Sequence, residues 1–511
     1  MPATRPPSLL TKFVSELGIH SVLHAPLDTH LLLLARFTRF LAYGSSTLIL
    51  ALYLSALKIS DARIGLFMTL TLLGDVGISL LVTLVADAWG RRKVLMVGAG
   101  LMGASGVVFA VSGNFWVLLV AGIVGVVSPR CVYIGGLGRL MECAEASSSG
   151  NEIGPFRAIE ESTLAQLTPA ENRSDIFAWY ALFANAGTAI GSVAGGWIAE
   201  RLMHPGGWSE VGAYRFIFGG YALLGLIKLV FCMMLSERCE IEGGKDVREY
   251  EEVVQLDDVD ADAENLLSDD DEEFEERGSK PQSRITATPM KRRSIWPAIS
   301  RESRSILLSL SLLFAVDSFA SGLIPRSWIT YFFNQKFHFP EGDLGTLFFV
   351  TNLISSISNL FASSLAKRIG LIQTMFFTHL PSSILAALIP LPSHVWLAMT
   401  FLILRSCLQN MDQAPRQAFL AAAVLPSERT AVMGVVNVVK TLAQSGGPVV
   451  TGWLAGMGKF WVAFLVAGAL KAAYDLSMLW MFWGFRGREE MEGEGKLRGR
   501  VEREEGDEEE A

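Results

Sequence analysis

Apolar residues along this chain come in long unbroken runs, with few polar positions repeating at the spacing of a helix face or a strand face. Twelve runs can be marked, at about 31–57, 63–86, 94–112, 115–138, 178–200, 213–236, 305–333, 343–366, 371–390, 395–415, 430–456 and 460–485. A helix of about 20 residues rising about 1.5 Å per residue crosses roughly 30 Å of hydrocarbon. A helix on the surface of a soluble protein would need a polar face, and most of these runs have none. The pattern predicts an all-α polytopic membrane protein with twelve crossings.

Composition sharpens this reading. The chain has 511 residues, 51% of them hydrophobic, and a mean hydropathy of +0.37. The formal charge of −8 is misleading, because the acid sits mainly in "DDVDADAENLLSDDDEEFEER" and in the tail "REEMEGEGKLRGRVEREEGDEEEA". Both have the composition of solvated chain and suggest no catalytic role. Cys131, Cys143, Cys232, Cys239 and Cys407 show no paired spacing, so neither a disulfide frame nor a metal site is indicated. The first 30 residues lack a compact apolar core followed by a small-residue cleavage site, which argues against a removable signal peptide.

Basic residues near the ends of the runs set the expected orientation. Arg91, Arg92, Lys93, Lys367, Arg368, Arg429 and "MKRRSIWPAISRESR" fall in one set of loops. The other set is short and holds little beyond Lys58, Arg63, Arg201, Lys336 and Lys459. The first set is expected to face the cytosol, with both termini and the long central linker on the same side. The expected organisation is a tail over 1–30, six spans over 31–236, a linker over 237–304, six spans over 305–485 and an acidic tail over 486–511.

The two sets of six runs repeat each other. Arg173 precedes Trp197 by 24 residues, ending "GTAIGSVAGGW", and Arg429 precedes Trp453 by 24, ending "AQSGGPVVTGW". In this register Gly191 matches Gly447 and Gly196 matches Gly452. Glu152 and Asp412 each stand three residues before a proline, with Arg157 or Arg416 close behind. Arg39 in "RFLAYG" and Asp317 in "DSFASG" each stand five residues before a glycine. Lys228 and Lys471 follow "GLI" and "GAL". The matches in serial order argue for duplication.

Two pseudo-symmetric six-helix bundles joined by a long linker resemble the major facilitator transporters. "ADAWGRRKVL", Ala86 to Leu95, is similar to that superfamily's motif between its second and third spans, though the motif's first glycine is absent. The second copy, "AKRIG", is degenerate and has Lys367 where the acid would stand. The wording of "GPFRAIEE" and "MDQAPRQ" is similar to fungal members of unassigned substrate. The first half departs from the pattern: Trp116 to Glu152 is 36 residues, whereas Trp396 to Asp412 is 16. A retained intron or a late insertion over 130–149 would account for the difference. It would also move Glu152 out of the membrane.

Two groups of charged residues follow. At the basic end, Asp87, Gly90, Arg91, Arg92, Arg157, Glu160, Arg173, Arg416 and Arg429 are the expected cytosolic gate, a set of salt bridges held in one conformation and released in another. Within the membrane, Arg39, Asp75 and Asp317 are expected to face a central cavity, because an ionised group there costs several kcal/mol without a partner or water. Glu152 and Asp412 join them as candidate solute or proton sites. Arg39 and Asp317 are expected to pair across the two-fold axis, Arg36 to snorkel to the interface, and Lys471 to satisfy Asp475. Tyr43, Trp328, Tyr331 and Phe333 could line the cavity or sit at lipid interfaces.

The resemblance implies a secondary transporter of a small organic solute by alternating access, with protons as the coupling ion. It would be a multi-pass monomer of the plasma or vacuolar membrane with no cofactor and no nucleic-acid partner. The alternative is a transporter-like nutrient sensor signalling through its linker and tail. An embedded enzyme is disfavoured, since the seven histidines are dispersed and no nucleophile with its base stands out; no Walker lysine motif exists for ATP-driven pumping.

Overall fold

The computed structural model describes residues 19–125, 155–169, 172–204, 206–240, 301–413, 415–416, 419 and 429–482, with no strand among them. The expected insertion, Glu152, nearly all of the linker and both acidic segments lie outside the described residues. The chain divides into two compact units, Met1–Cys239 with Ile299–Ala511, and Glu240–Ala298. The described helices all belong to the first.

A short turn, Ile19–Leu23, precedes α1 (Leu27–Ala56), α2 (Asp61–Trp89), α3 (Arg91–Val111), α4 (Phe115–Val124), α5 (Pro155–Leu167), α6 (Arg173–Met203) and α7 (Glu210–Met234). The C-terminal half holds α8 (Arg301–Leu323), α9 (Arg326–Phe337), α10 (Glu341–Ile369), α11 (Leu371–Leu388), α12 (Val395–Leu408), α13 (Arg429–Gly456) and α14 (Phe460–Phe482). Starts are set by ordinary capping chemistry. The Asn114 side chain accepts from Trp116 N at 3.0 Å and Val117 N at 3.4 Å to open α4, and Ser209 accepts from Gly212 N at 3.2 Å to open α7. Among the described residues six stretches are long and apolar enough to cross a membrane.

One expected span is two helices. The run at 305–333 breaks at Ile324–Pro325 between α8 and α9, where proline supplies no N–H and its ring obstructs the preceding turn. The Thr451 hydroxyl donates to the Leu323 carbonyl at 2.6 Å, satisfying an acceptor near the break.

The halves repeat in three dimensions. Helix α1 packs on α6 as α8 packs on α13, and α3 on α7 as α11 on α14. Across the halves, α6 meets α10 as α13 meets α2. The paired glycines stand at these crossings. A methyl group on Gly191 would come within 2.1 Å of Leu41 O, and one on Gly447 within 2.1 Å of Gly322 C. On Gly196 it would meet Glu341 O at 2.2 Å, and on Gly452 Asp61 O at 2.4 Å. Small residues here are what lets the backbones touch. Left-handed backbone also recurs in register among the described residues: Lys58 with His338, Gly90 with Gly370, and Gly207 with Gly458. Gly90 (φ 95°) and Gly370 (φ 92°) turn α2 into α3 and α10 into α11. The degenerate second motif therefore keeps the one residue its turn requires.

Candidate functional site

Each half encloses a knot of buried charge, and each knot uses one of the two matched lysines. In the N-terminal half the acid is Glu160 on α5. It accepts from Arg39 Nη2 on α1 at 3.1 Å, Lys228 Nζ on α7 at 3.2 Å and the Tyr180 hydroxyl on α6 at 2.8 Å. Arg36 completes the group, with Nη1 3.9 Å from Glu160, Nε donating to Tyr180 O at 3.0 Å and its guanidinium 3.6 Å from the Tyr180 ring centre. Glu160 and Arg36 are both 1% exposed, so each charge exists only because the others surround it.

In the C-terminal half the acid is Asp317 on α8. It accepts from Lys471 Nζ on α14 at 2.7 Å and Arg416 Nη1 at 2.9 Å, and His379 Nε2 on α11 stands 3.7 Å away. Arg416 also pairs with Asp412 one helical turn before it. On the other side of the imidazole, Nδ1 lies 2.7 Å from Asp475 Oδ1, and the Ser383 hydroxyl donates to Asp475 Oδ2 at 3.2 Å. The result is a continuous polar chain from Asp412 through Arg416, Asp317 and His379 to Asp475.

A cavity of about 340 Å³ lies where the halves meet. Asp317, His379, Asp412, Arg416 and Lys471 line it, together with Arg405 on α12 and Lys440 on α13. The N-terminal half lines it with uncharged groups, among them Phe40, Tyr43, Thr47, Phe67, Met68 and Asn185. Among the described residues, cross-half hydrogen bonds gather toward the Lys58 end. Tyr331 donates to Asp61 Oδ1 at 2.7 Å, Tyr214 to Glu341 Oε1 at 3.0 Å, Gly342 N to Glu200 Oε2 at 2.9 Å and Trp197 Nε1 to Thr346 Oγ1 at 3.0 Å. Deeper in, Ser327 donates to Thr47 O at 2.8 Å.

These contacts correct several expectations. Arg39 and Asp317 do not pair: each is neutralised inside its own half, and Arg39 is not among the cavity-lining residues. Glu160 and Arg416, expected in a surface gate, are the buried partners that Arg39 and Asp317 require. Arg36 does not snorkel but is enclosed by Glu160 and Tyr180. Lys471 serves Asp317, leaving Asp475 to His379. Asp75 is 1% exposed and is not among the cavity-lining residues; Gly74 beside it lies against Ile123 of α4. Of the four aromatics, Tyr43 lines the cavity, whereas Trp328, Tyr331 and Phe333 are packed in the core.

The remaining gate residues sit at the Arg91 end. Arg91 donates to Gln166 Oε1 at 2.9 Å, Arg92 to Met233 O at 2.6 Å and Arg173 to Ala165 O at 3.3 Å, all within the N-terminal half. The side chains of Asp87, Arg157 and Arg429 lie outside the described residues. Sequence reasoning missed Arg405 and Lys440, each a lone cation in an apolar run, and the partnership of His379 with Asp475, 96 residues apart.

The sequence pattern of the Major Facilitator Superfamily matches residues 153–405 and 306–503. An uncharacterized membrane protein of Saccharomyces cerevisiae is 35% identical over 459 residues, covering 89% of this chain and 94% of that protein. Among solved structures, the nucleoside transporter NupG superposes with a TM-score of 0.59 at 15% identity, covering 90% of this chain and 100% of that one. A D-xylose–proton symporter superposes with a TM-score of 0.60 at 12% identity, covering 88% and 96%.

Proposed function

The chain belongs to the Major Facilitator Superfamily, whose members are membrane transporters and not enzymes, and from that premise we propose that it moves a small organic solute by alternating access, coupled to protons. The observation that carries this reading is the cavity at the junction of the halves, with cross-half hydrogen bonds gathered on its Lys58 side. Two rigid bodies, each fastened by its own charge knot, can rock about such a cavity and expose it to one face at a time. With the basic loops in the cytosol, the conformation described is sealed on the side away from the cytosol. The membrane is that of the cell surface or the vacuole, and a monomer suffices because the cavity is complete within one chain.

Asp317 is the proposed coupling group. It borders the cavity and holds Lys471 and Arg416, with His379, Asp412 and Lys440 around it. A proton delivered to its carboxylate removes the charge that retains both cations, loosening α8 from α14. A solute chosen by thermal stabilisation of the purified protein, followed in proteoliposomes under an imposed pH gradient, tests this. Asp317→Asn should abolish gradient-driven accumulation while leaving solute exchange measurable. Asp75→Asn is the companion variant, for the buried carboxylate of α2. Full gradient-driven accumulation by both would remove the proton role.

A further inference from the structure

The two walls of the cavity differ in kind, and the difference specifies a ligand. Among the described residues lining it, every charged group comes from the C-terminal half. Two are carboxylates, Asp317 and Asp412, and both are occupied by Arg416 and Lys471. Arg405 and Lys440 then remain. Among the described residues the Arg405 guanidinium has neither a carboxylate nor a hydrogen-bond partner. The Lys440 ammonium stands over the face of Phe314, 5.8 Å from the ring centre, and the pull of Asp317 and Asp412 on it is opposed by Arg416 and Lys471 beside them. A cation within a membrane protein needs a counter-charge or water, since burial alone costs it several kcal/mol. Among the described residues lining the cavity, no carboxylate is left unpaired to supply one. Arg326, at the start of α9, adds a further positive group to the same lining, and the N-terminus of that helix adds a partial positive charge.

Among the described residues, the facing wall offers no charge. Phe40, Tyr43, Leu50, Phe67, Met68 and Leu72, from α1 and α2, present aromatic and aliphatic surface. Resting on the transporter reading, we infer that the solute is an amphiphilic organic anion. Its carboxylate lies against Arg405 and Lys440, and its apolar or aromatic body against the α1–α2 wall. Sugars would leave both cations uncompensated, and organic cations would be repelled by them.

Matched ligand triads test the assignment on the full-length protein in lipid nanodiscs. One triad is 4-phenylbutyrate, 4-phenylbutanamide and 4-phenylbutylamine; a second is hexanoate, hexanamide and hexylamine; succinate supplies an anion without an apolar body. Titration calorimetry should show the carboxylate of at least one triad binding at least about tenfold more tightly than its amide and amine, as one partnered charge of about 1.4 kcal/mol requires. R405Q and K440Q should each erase that preference while keeping the parent melting temperature, and R405K should retain part of it. An amine equal to its carboxylate, no carboxylate binding in either triad, or unchanged preference in both glutamine variants would overturn the assignment. Succinate binding as tightly as 4-phenylbutyrate would overturn the apolar half of it. Carboxylates that bind but do not exchange across proteoliposomes would instead remove the transporter reading and leave the site. Exchange of some other solute by a protein that ignores carboxylates would do the reverse.

Discussion

Lys471 Nζ stands 2.7 Å from Asp317 Oδ1, joining α14 to α8 across 154 residues of chain. Lys228 makes the matching contact with Glu160 in the other half. The lysines occupy equivalent positions, but the acids do not. Asp317 lies in the first long helix of its half, where Arg39 lies in the other. Glu160 and Arg416 both follow the fourth crossing. Duplication has kept the lysine and exchanged the signs of its two neighbours, so each knot still ties the first and last crossings of its half together.

Removing Lys228 from the N-terminal knot leaves Glu160, which is 1% exposed, one cation short, with Arg39 and Arg36 still beside it. Lys228→Met should lower stability by about 3–5 kcal/mol, the usual cost of breaking a buried pair from one side. Glu160→Gln in the same background should return part of it. Thermal unfolding in detergent reads both. A single variant as stable as the parent would mean that Arg39 and Arg36 alone neutralise the acid.

The crossings and the repeat were legible because they are written locally. An apolar run shows its length, and a glycine at a backbone crossing leaves the same spacing in both halves. Partnerships were not. Glu160 and Arg39 are 121 residues apart and His379 and Asp475 are 96 apart; no spacing rule connects them. Lys471 and Asp475 illustrate the error. Their i,i+4 spacing suits a surface pair, but inside a bundle each turns to a stronger partner on another helix. The break at Pro325 was readable in "LIPRS" and was outweighed by the hydropathy of the residues around it.

At the crossing of α13 with α2, a side chain on Gly452 has no room: its first carbon would meet Asp61 O at 2.4 Å. Gly452→Val should hold the Lys58 end apart, and Gly196→Val should do the same at the equivalent crossing with α10. Cysteine placed at cavity-lining Ser321 should then react faster with a membrane-impermeant thiol reagent added from the Lys58 side. Unchanged labelling in both variants would show that the helices can shift to accept the methyl groups.

Gly90 and Gly370 hold equivalent turns with φ near +95° and +92°, a region a side chain enters at a cost of about 1–3 kcal/mol. Gly90→Ala and Gly370→Ala should destabilise the protein by similar amounts, measurable as similar falls in melting temperature. The equality is the informative part. A much larger loss at Gly90 would mean that the first turn carries contacts beyond backbone geometry.

Tyr331 is the hub of the seal at the Lys58 end. Its hydroxyl donates to Asp61 Oδ1 at 2.7 Å, lies 3.3 Å from the Ser55 hydroxyl and accepts from Gln335 Nε2 at 2.5 Å. Asp61 and Ser55 belong to the N-terminal half, so two of the three contacts cross the seam between the halves, which the proposed alternating access would part. The ring itself is packed against Trp328 and Phe460, which keeps the fold intact when only the hydroxyl is removed. Each lost hydrogen bond is worth about 0.5–1.5 kcal/mol net, so Tyr331→Phe should weaken the closed seam by about 1–3 kcal/mol. A two-state equilibrium responds to that by roughly five- to 150-fold in favour of the open side. Spin labels on the Lys58 turn and the His338 turn should report a larger population at long separation, with the melting temperature little changed. A distance distribution identical to the parent's would show that the backbone crossings at Gly196 and Gly452, and not this hydroxyl, hold the seam shut.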